Sequence, residues 1–203
     1  FLRDKRALLV LDNFEQILDA APVVAELLSD ARHLEILVTS RAVLKITSEY
    51  EYPVPPLRTP PAEDRRSLEL LQQNEAVRLF VARARAVAPG FALTRENRSA
   101  VTEICRRLEG LPLAIELAAA RVKFLPPAAL LRRLDNRLDV LTGGARDMPD
   151  RQRTLRGTLD WSFALLNQFE RRILARLGLF VGGFTLEAAE AMNRDLDVDL
   201  VEV

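Results

Sequence analysis

The sequence predicts an α/β segment followed by an all-α region. Two short apolar runs, Ala7–Leu11 and Leu34–Val38, flank a stretch with a helical pattern. Strand, helix and strand at this spacing form a βαβ unit, in which the two strands are parallel. From Leu68 onward, apolar residues recur at three- and four-residue steps, which is typical of packed helices.

Composition excludes several classes of protein. The chain has 203 residues, and its 29 basic and 29 acidic side chains give a formal net charge of zero. A neutral chain offers no general electrostatic case for nucleic acid or an anionic membrane as the main partner. No apolar run approaches the ~20 residues that span a bilayer, so we expect no membrane association. The single cysteine, Cys105, is compatible with a reducing compartment, and we expect a cytoplasmic protein.

The first apolar run ends in one acid, Asp12. Five consecutive apolar residues are typical of a strand buried on both faces, as in a parallel sheet. In open α/β sheets ligands bind beyond the carboxyl ends of the strands. A carboxylate there could hold Mg²⁺ bound to nucleotide phosphates, so Asp12 is a candidate metal ligand. A buried strand followed by a helix-capping Asp explains this stretch, taken alone, equally well.

The second strand ends in polar residues, Thr39-Ser40-Arg41. If the two strands are neighbours, these residues meet Asp12 at one edge of the sheet. Arg41 could then face the same anion that a metal ion bound to Asp12 contacts. Alternatively, it could be a surface arginine that begins a loop.

The connections between these elements follow from other local signals. Helices are expected over residues 14–18 and 22–28, on either side of the turn before Pro22. A last short strand is expected near Tyr52–Val54, and the proline-rich stretch after it marks the end of a first domain at residue 61.

Caps and prolines delimit the predicted helices of a second domain, residues 62–142. We expect N-caps at Asn74 and Thr94, and helices that open at Pro112 and Pro127. These helices form a small helical bundle.

A third module, residues 143–203, has the order helix, helix, short strand, helix, which resembles a winged-helix module. The sequence predicts a helix over residues 155–166 and a capping box at Asn167 and Glu170. It also predicts a strand over residues 179–181 and a helix cap at Thr185.

Four stretches resemble, in order, the signal-transducing ATPases with numerous domains (STAND), which are P-loop ATPases of the NB-ARC type. Their bacterial transcription-regulator branch is the most similar. The stretches are Leu8–Glu15 as the Walker B strand, Ile36–Arg41 as the sensor 1 strand, Gly110–Ala114 as the helical-domain motif, and Arg153–Ser162 as the start of a winged-helix domain. The resemblance implies that residues 1–61 are the C-terminal half of a P-loop parallel sheet.

The resemblance also implies roles for single residues in binding ATP or ADP. Asp12 would hold Mg²⁺, Arg41 would sense the γ-phosphate, and Pro112 would pack on adenine, so that bound nucleotide ties the two domains together. Exchange of ADP for ATP could then shift a conformational equilibrium. The partners implied are nucleotide together with other domains of the same chain or other proteins.

Two departures from the family limit the expected activity. The sequence contains no Gly-x-x-x-x-Gly-Lys-Ser/Thr loop, which cradles the phosphates, and in this family that loop belongs upstream of Phe1. Without it we expect poor ATP binding, negligible hydrolysis and a half-sheet that exposes an edge and an apolar face. Asn13 also stands where active ATPases carry a second acid, although Glu15 could replace that catalytic acid. We therefore expect slow hydrolysis, and only in a longer protein.

Two other functions are compatible with the sequence. One is DNA binding by the winged-helix module, which arginines such as Arg153 and Arg171 would favour. Residues 149–203 carry seven basic and nine acidic side chains, a net charge of −2, which argues against direct DNA binding by this region. The other is a protein-interaction scaffold that has lost its nucleotide function.

Overall fold

The computed structural model describes residues 1–61, 68–134, 141, 153–180 and 183–196. The chain divides into two compact units, Phe1–Pro55 and Pro56–Val203. The boundary expected near residue 143 and the strand residue Val181 lie outside the described residues.

The first unit is a βαβ unit in which α1 (Ala21–Asp30) connects β1 (Ala7–Leu11) to β2 (Leu34–Val38). The two strands are parallel, and their register runs from Ala7 opposite Leu34 to Leu11 opposite Val38. This arrangement confirms the predicted order of strand, helix and strand. A small apolar core forms where α1 meets one face of the sheet, and its buried members are Phe14, Ala21 and Val24.

Only one face of this sheet is packed, so the expectation of strands buried on both faces is wrong for the described chain. Side chains alternate between faces along a strand. Those directed away from α1 are largely exposed: Leu8 at 60%, Val10 at 56% and Leu37 at 56%. The expected exposed apolar face is therefore present.

The chain between β1 and α1 is not the α-helix that was predicted over residues 14–18. It forms two 3₁₀ turns, Phe14–Gln16 and Leu18–Ala20. Asn13 is left-handed, with φ of 59°, and Ile17 leaves the helical region at φ of −136°. These two residues prevent a continuous helix, which begins only where Pro22 fits the first turn of α1.

The short strand expected at Tyr52–Val54 is absent. The exposed fractions of Tyr50, Tyr52 and Val54 are 96%, 85% and 86%. Prolines at positions 53, 55 and 56 have no backbone N–H to donate to a neighbouring strand.

The second unit begins with a helical bundle, as the periodicity predicts. Its helices are α2 (Leu68–Gln73), α3 (Glu75–Val87), α4 (Arg98–Arg107), α5 (Pro112–Ala120) and α6 (Pro127–Arg133). Helix α3 packs against α5 and α4, and α4 packs against α6. The core between them is fully buried and includes Phe80, Val101, Ile104 and Ile115.

The predicted N-cap at Asn74 is present, whereas the N-cap residue of α4 is Asn97 and not the predicted Thr94. The Asn74 side chain accepts a hydrogen bond from the Val77 amide at 3.2 Å. At Thr94 the hydroxyl accepts from the Asn97 amide at 3.4 Å, and the Asn97 side chain accepts from the Thr94 amide at 2.9 Å. This reciprocal pair closes a turn before α4, so the helix itself starts at Arg98, four residues after Thr94.

Residues Leu57–Pro60, which the proline run had placed in the first domain, pack on the helical bundle. The Leu57 amide donates to the Gly110 carbonyl at 3.0 Å, and the Arg58 amide donates to the Glu75 carboxylate at 3.0 Å. Gly110 has φ of 71°, and a Cβ at this position would lie 1.9 Å from the Leu57 carbonyl oxygen. Only glycine therefore allows the two backbones to approach this closely.

The second unit continues into a further group of helices, α7 (Leu155–Leu165), α8 (Gln168–Leu177) and α9 (Leu186–Met192). The capping box of Asn167 and Glu170 is confirmed, and Thr185 caps α9 by accepting from the Ala188 amide at 3.3 Å. The predicted strand is wrong at Leu179 and Phe180. Their amides bond to carbonyls of α8, at 3.1 Å each, and so continue the helix end as a turn.

In the described part of the chain no helix is both long and apolar enough to cross a bilayer.

Cys105 offers a probe of the helical bundle. Its side chain is fully buried, and this burial raises the pKa of the thiol to about 12. Because the thiolate is the reactive species, alkylation of Cys105 at neutral pH requires the bundle to open.

We predict that Gly110→Ala destabilises the protein by about 2 kcal/mol or more, since the methyl group meets backbone that cannot yield and φ is positive. Gly90→Ala is the matched control, because nothing lies within 4 Å of its Cβ position. Denaturant unfolding measures the free energy, and the rate of Cys105 alkylation by iodoacetamide should rise only in Gly110→Ala. Equal free energies of unfolding in the two variants would contradict the close approach.

Candidate functional site

Asp12 lies at the carboxyl end of β1, and its carboxylate is held by two hydrogen bonds. The Thr39 hydroxyl donates to Oδ1 at 2.5 Å, and the side-chain amide of Asn13 donates to Oδ2 at 2.9 Å. Asp12 is exposed, so its remaining lone pairs stay open to solvent or a ligand. The carboxylate is thus fixed in direction without being buried.

Thr39 joins the ends of the two strands through both its backbone and its side chain. Its amide donates to the Leu11 carbonyl at 2.9 Å, and its carbonyl accepts from the Phe14 amide at 3.0 Å. Its hydroxyl oxygen accepts from the Asn13 amide at 3.0 Å while its proton goes to Asp12. We call Asp12, Asn13 and Thr39 the strand-end cluster.

The chemistry of the strand-end cluster suits Mg²⁺ only with help from a ligand. In the described residues no group of three or more His, Cys, Asp or Glu side chains could hold a metal ion. Mg²⁺ binds in proteins through one or two carboxylates together with waters and substrate phosphates. Asp12 fits the protein's share of that ligand set, and phosphate oxygens and water would supply the rest.

Glu15 and Arg41 form an ion pair, and each lies two residues after a member of the strand-end cluster in the sequence. Glu15 Oε1 lies 3.7 Å from Arg41 Nε, too far for a hydrogen bond. The Glu15 side chain is 8% exposed, whereas the Arg41 side chain is 48% exposed. The acidic partner of this ion pair is therefore buried, and the basic partner is about half exposed to solvent.

The loop after Arg41 is fixed by another carboxylate, Glu49. Its two oxygens accept from the Leu44 amide at 2.9 Å and from the Lys45 amide at 2.8 Å. Lys45 is left-handed, with φ of 57°, and Leu44 and Ile46 pack on the core of the first unit. Arg41 is thus the exposed end of an anchored segment.

Pro112, the fourth candidate, lies in the second unit at the start of α5 and is exposed. Leu111 before it is 45% exposed, while Ala114 and Ile115 after it are buried. Two adjacent apolar residues are therefore exposed where α5 begins, next to buried residues of the same helix. Such a surface could cover a flat aromatic ligand.

In the sequence, Thr39 lies in the same polar run as Arg41, but this run does not indicate a role for the Thr39 hydroxyl. The available signal is the position of Thr39, one residue after a strand that neighbours the strand ending at Asp12. The register that pairs Leu11 with Val38 brings Thr39 next to Asp12.

Comparison with known proteins gives relatives that are transcription regulators by name. The chain is 44% identical over 200 residues to the Mycobacterium tuberculosis (strain H37Rv) protein named "Putative HTH-type transcriptional regulator Rv0890c". A Mycobacterium bovis protein, "Putative HTH-type transcriptional regulator Mb0914c", matches to the same extent. Homologues of this chain are thus named as HTH-type transcriptional regulators. The M. tuberculosis protein "Uncharacterized protein Rv0894" is 42% identical over 193 residues.

The chain covers only part of these relatives. The matches take in 98% and 95% of this chain, but 21% of the named regulators and 46% of the other protein. No protein-family model and no solved structure matches the chain.

We predict that Thr39→Val frees the Asn13 amide and weakens the first unit by about 1 kcal/mol, since two hydrogen bonds to one hydroxyl are lost. Thr39→Ser keeps the hydroxyl and serves as the matched control. Amide hydrogen exchange followed by NMR should show faster exchange at Asn13 in Thr39→Val alone. Unchanged exchange at Asn13 in Thr39→Val would contradict the role of the hydroxyl.

Proposed function

We propose that this chain is the nucleotide-responsive switch region of a transcription regulator. In this proposal Asp12 binds Mg²⁺ of a bound nucleotide, Arg41 responds to the γ-phosphate of ATP, and Pro112 contributes an apolar contact to adenine. The names of the relatives support the regulatory role.

The observation that carries the proposal is the strand-end cluster. An exposed carboxylate at the carboxyl end of a parallel strand, oriented by two hydrogen-bond donors, suits a metal–phosphate ligand. Because the Asp12 carboxylate is already oriented, less conformational entropy is lost when a ligand binds to it. A carboxylate that only caps a helix would instead accept from the first backbone amides after it, and Asp12 accepts from side chains.

Hydrolysis is expected to be slow in this proposal. Asn13 carries an amide where an active ATPase would place a second acid, and that amide donates to Asp12. An amide cannot accept a proton from water, so it cannot be a general base. Slow hydrolysis suits a switch, because the bound nucleotide then defines a lasting state.

The phosphate cradle has to come from sequence that this chain does not contain. Because the relatives are longer than the matched region, we propose that the switch works within a longer protein. The experiment therefore uses the chain extended at its N-terminus to include a glycine-rich Lys-Ser/Thr loop.

Equilibrium binding of fluorescent ATP, with and without Mg²⁺, tests the proposal. We expect Asp12→Asn to reduce the Mg²⁺-dependent gain in affinity by about tenfold or more, because a neutral amide is a weaker metal ligand. Asp19→Asn is the matched control, since Asp19 is an exposed carboxylate in the second 3₁₀ turn of the same unit.

Equal affinities of Asp12→Asn and Asp19→Asn for Mg²⁺–ATP would contradict the role of Asp12. Absence of ATP binding in the extended protein would contradict the switch itself and favour a protein-interaction scaffold.

DNA binding by α7–α9 is a second candidate, which the names of the relatives favour. The arginines of this region are partly engaged within the fold: Arg171 donates to the Phe163 and Ala164 carbonyls, at 3.1 and 2.9 Å, and Arg176 donates to the Met192 carbonyl at 3.2 Å. Salt-sensitive binding of random duplex DNA by this protein would support the second candidate.

A further inference from the structure

An open cleft lies at the amino ends of the two strands, and no function has been assigned to it above. Its volume is about 460 Å³, and it is lined by Asp4, Arg6, Arg32, His33, Leu34 and Glu35. We propose that this cleft, which we call the amino-end cleft, binds a small zwitterion. Such a ligand carries one carboxylate and one ammonium group, as a free amino acid or a short peptide does.

Two tight turns hold the backbone around the amino-end cleft. The turn over residues 2–5 carries Asp4, and a backbone hydrogen bond of 3.0 Å closes it. The turn over residues 31–34 carries three lining residues and is closed in the same way at 3.1 Å. The Ala7 amide donates to the His33 carbonyl at 3.3 Å, which joins the second turn to the start of β1. The lining side chains therefore project from backbone that is already ordered.

The charged side chains of the amino-end cleft are exposed and do not neutralise one another. In the part of the chain that the structure describes, Arg6 and Arg32 form no ion pair, although Asp4 and Glu35 line the same cleft. Two cationic and two anionic side chains are therefore available to a ligand.

The pattern differs just outside the cleft. Arg3, in the turn over residues 2–5, pairs with Asp30 at 3.3 Å, and neither residue lines the cleft. Charges in this part of the first unit thus do form an ion pair where their geometry allows it. The separation of charges is a property of the cleft itself.

Separated charges of both signs favour a zwitterion over a simple ion. A guanidinium binds a carboxylate through two parallel N–H···O hydrogen bonds, and a carboxylate accepts hydrogen bonds from an ammonium group. The four charged side chains sum to zero, so net charge attracts neither a simple anion nor a simple cation. A ligand of one sign would also be repelled by the side chains of the same sign.

The amino-end cleft and the strand-end cluster lie at opposite ends of the same two strands. Each strand has five residues. Five residues of strand span about 17 Å. A small ligand in the cleft therefore does not reach Asp12, and its binding can be measured without nucleotide.

Three dipeptides with the same backbone test the class of ligand. Ala-Ala carries both charges, N-acetyl-Ala-Ala carries only the carboxylate, and Ala-Ala amide carries only the ammonium group. Each is titrated into the ¹⁵N-labelled full chain, and the NMR shifts of amides in residues 4–6 and 32–35 give the dissociation constants. We expect a dissociation constant of about 1 mM or lower for Ala-Ala, and binding about tenfold or more weaker for each blocked peptide.

Substitutions test the location of the site. Arg32→Gln and Glu35→Gln each remove one charge from the cleft, so each should weaken Ala-Ala binding by about tenfold. Arg6→Gln gives a second measurement if Arg32→Gln does not fold. Arg3→Gln and Glu26→Gln are the matched controls, because they remove exposed charges of the same unit outside the cleft and should leave the affinity unchanged.

Three results would overturn the proposal. N-acetyl-Ala-Ala or Ala-Ala amide could bind as tightly as Ala-Ala, which would indicate a site for a simple ion. Ala-Ala could fail to shift the cleft amides at about 10 mM, well above the expected dissociation constant. The controls could weaken Ala-Ala binding as much as the cleft variants do.

The test is independent of the proposed nucleotide switch. Asp12→Asn should leave Ala-Ala binding unchanged, because Asp12 lies at the other end of β1. Failure of the extended protein to bind ATP would contradict the switch and leave the result for the cleft as it is.

Discussion

One hydroxyl group, that of Thr39, joins the carboxyl ends of β1 and β2. It donates to Asp12 and accepts from the backbone of Asn13, so the carboxylate and the left-handed turn are held by the same atom. The direction of that turn sends Phe14 into the core and brings Glu15 to Arg41. The positions of Asp12 and of the turn that carries Glu15 therefore depend on how the two strand ends are tied.

The two candidate acidic groups of this unit, Asp12 and Glu15, are each paired with other side chains of the same unit. Asp12 accepts from two side chains, and Glu15 is paired with Arg41. A cation can bind the remaining lone pairs of Asp12 while both hydrogen-bond donors stay in place, because the carboxylate is exposed.

The sequence predicted what depends on local pattern and missed what depends on tertiary contacts. The parallel strands, the bundle helices and the caps at Asn74 and Thr185 follow from periodicity and side-chain chemistry. The strand predicted at residues 52–54 is absent because the prolines at positions 53, 55 and 56 have no backbone N–H to pair with a neighbouring strand. The close approach of Leu57 to Gly110 and the pairing of Glu15 with Arg41 join positions whose contact only the fold defines. The P-loop and winged-helix assignments stay predictions.

The most direct test of the account asks whether Asp12 stands beside the metal of a bound nucleotide. Mn²⁺ can replace Mg²⁺ in a complex of ATP with the N-terminally extended protein, and ¹³C-labelled aspartate carboxylates can be detected near it by electron–nuclear double resonance. The account predicts a hyperfine coupling to one aspartate carboxyl carbon that disappears in Asp12→Asn and persists in Asp19→Asn. A spectrum with no such coupling, or one that Asp12→Asn leaves unchanged, would contradict it.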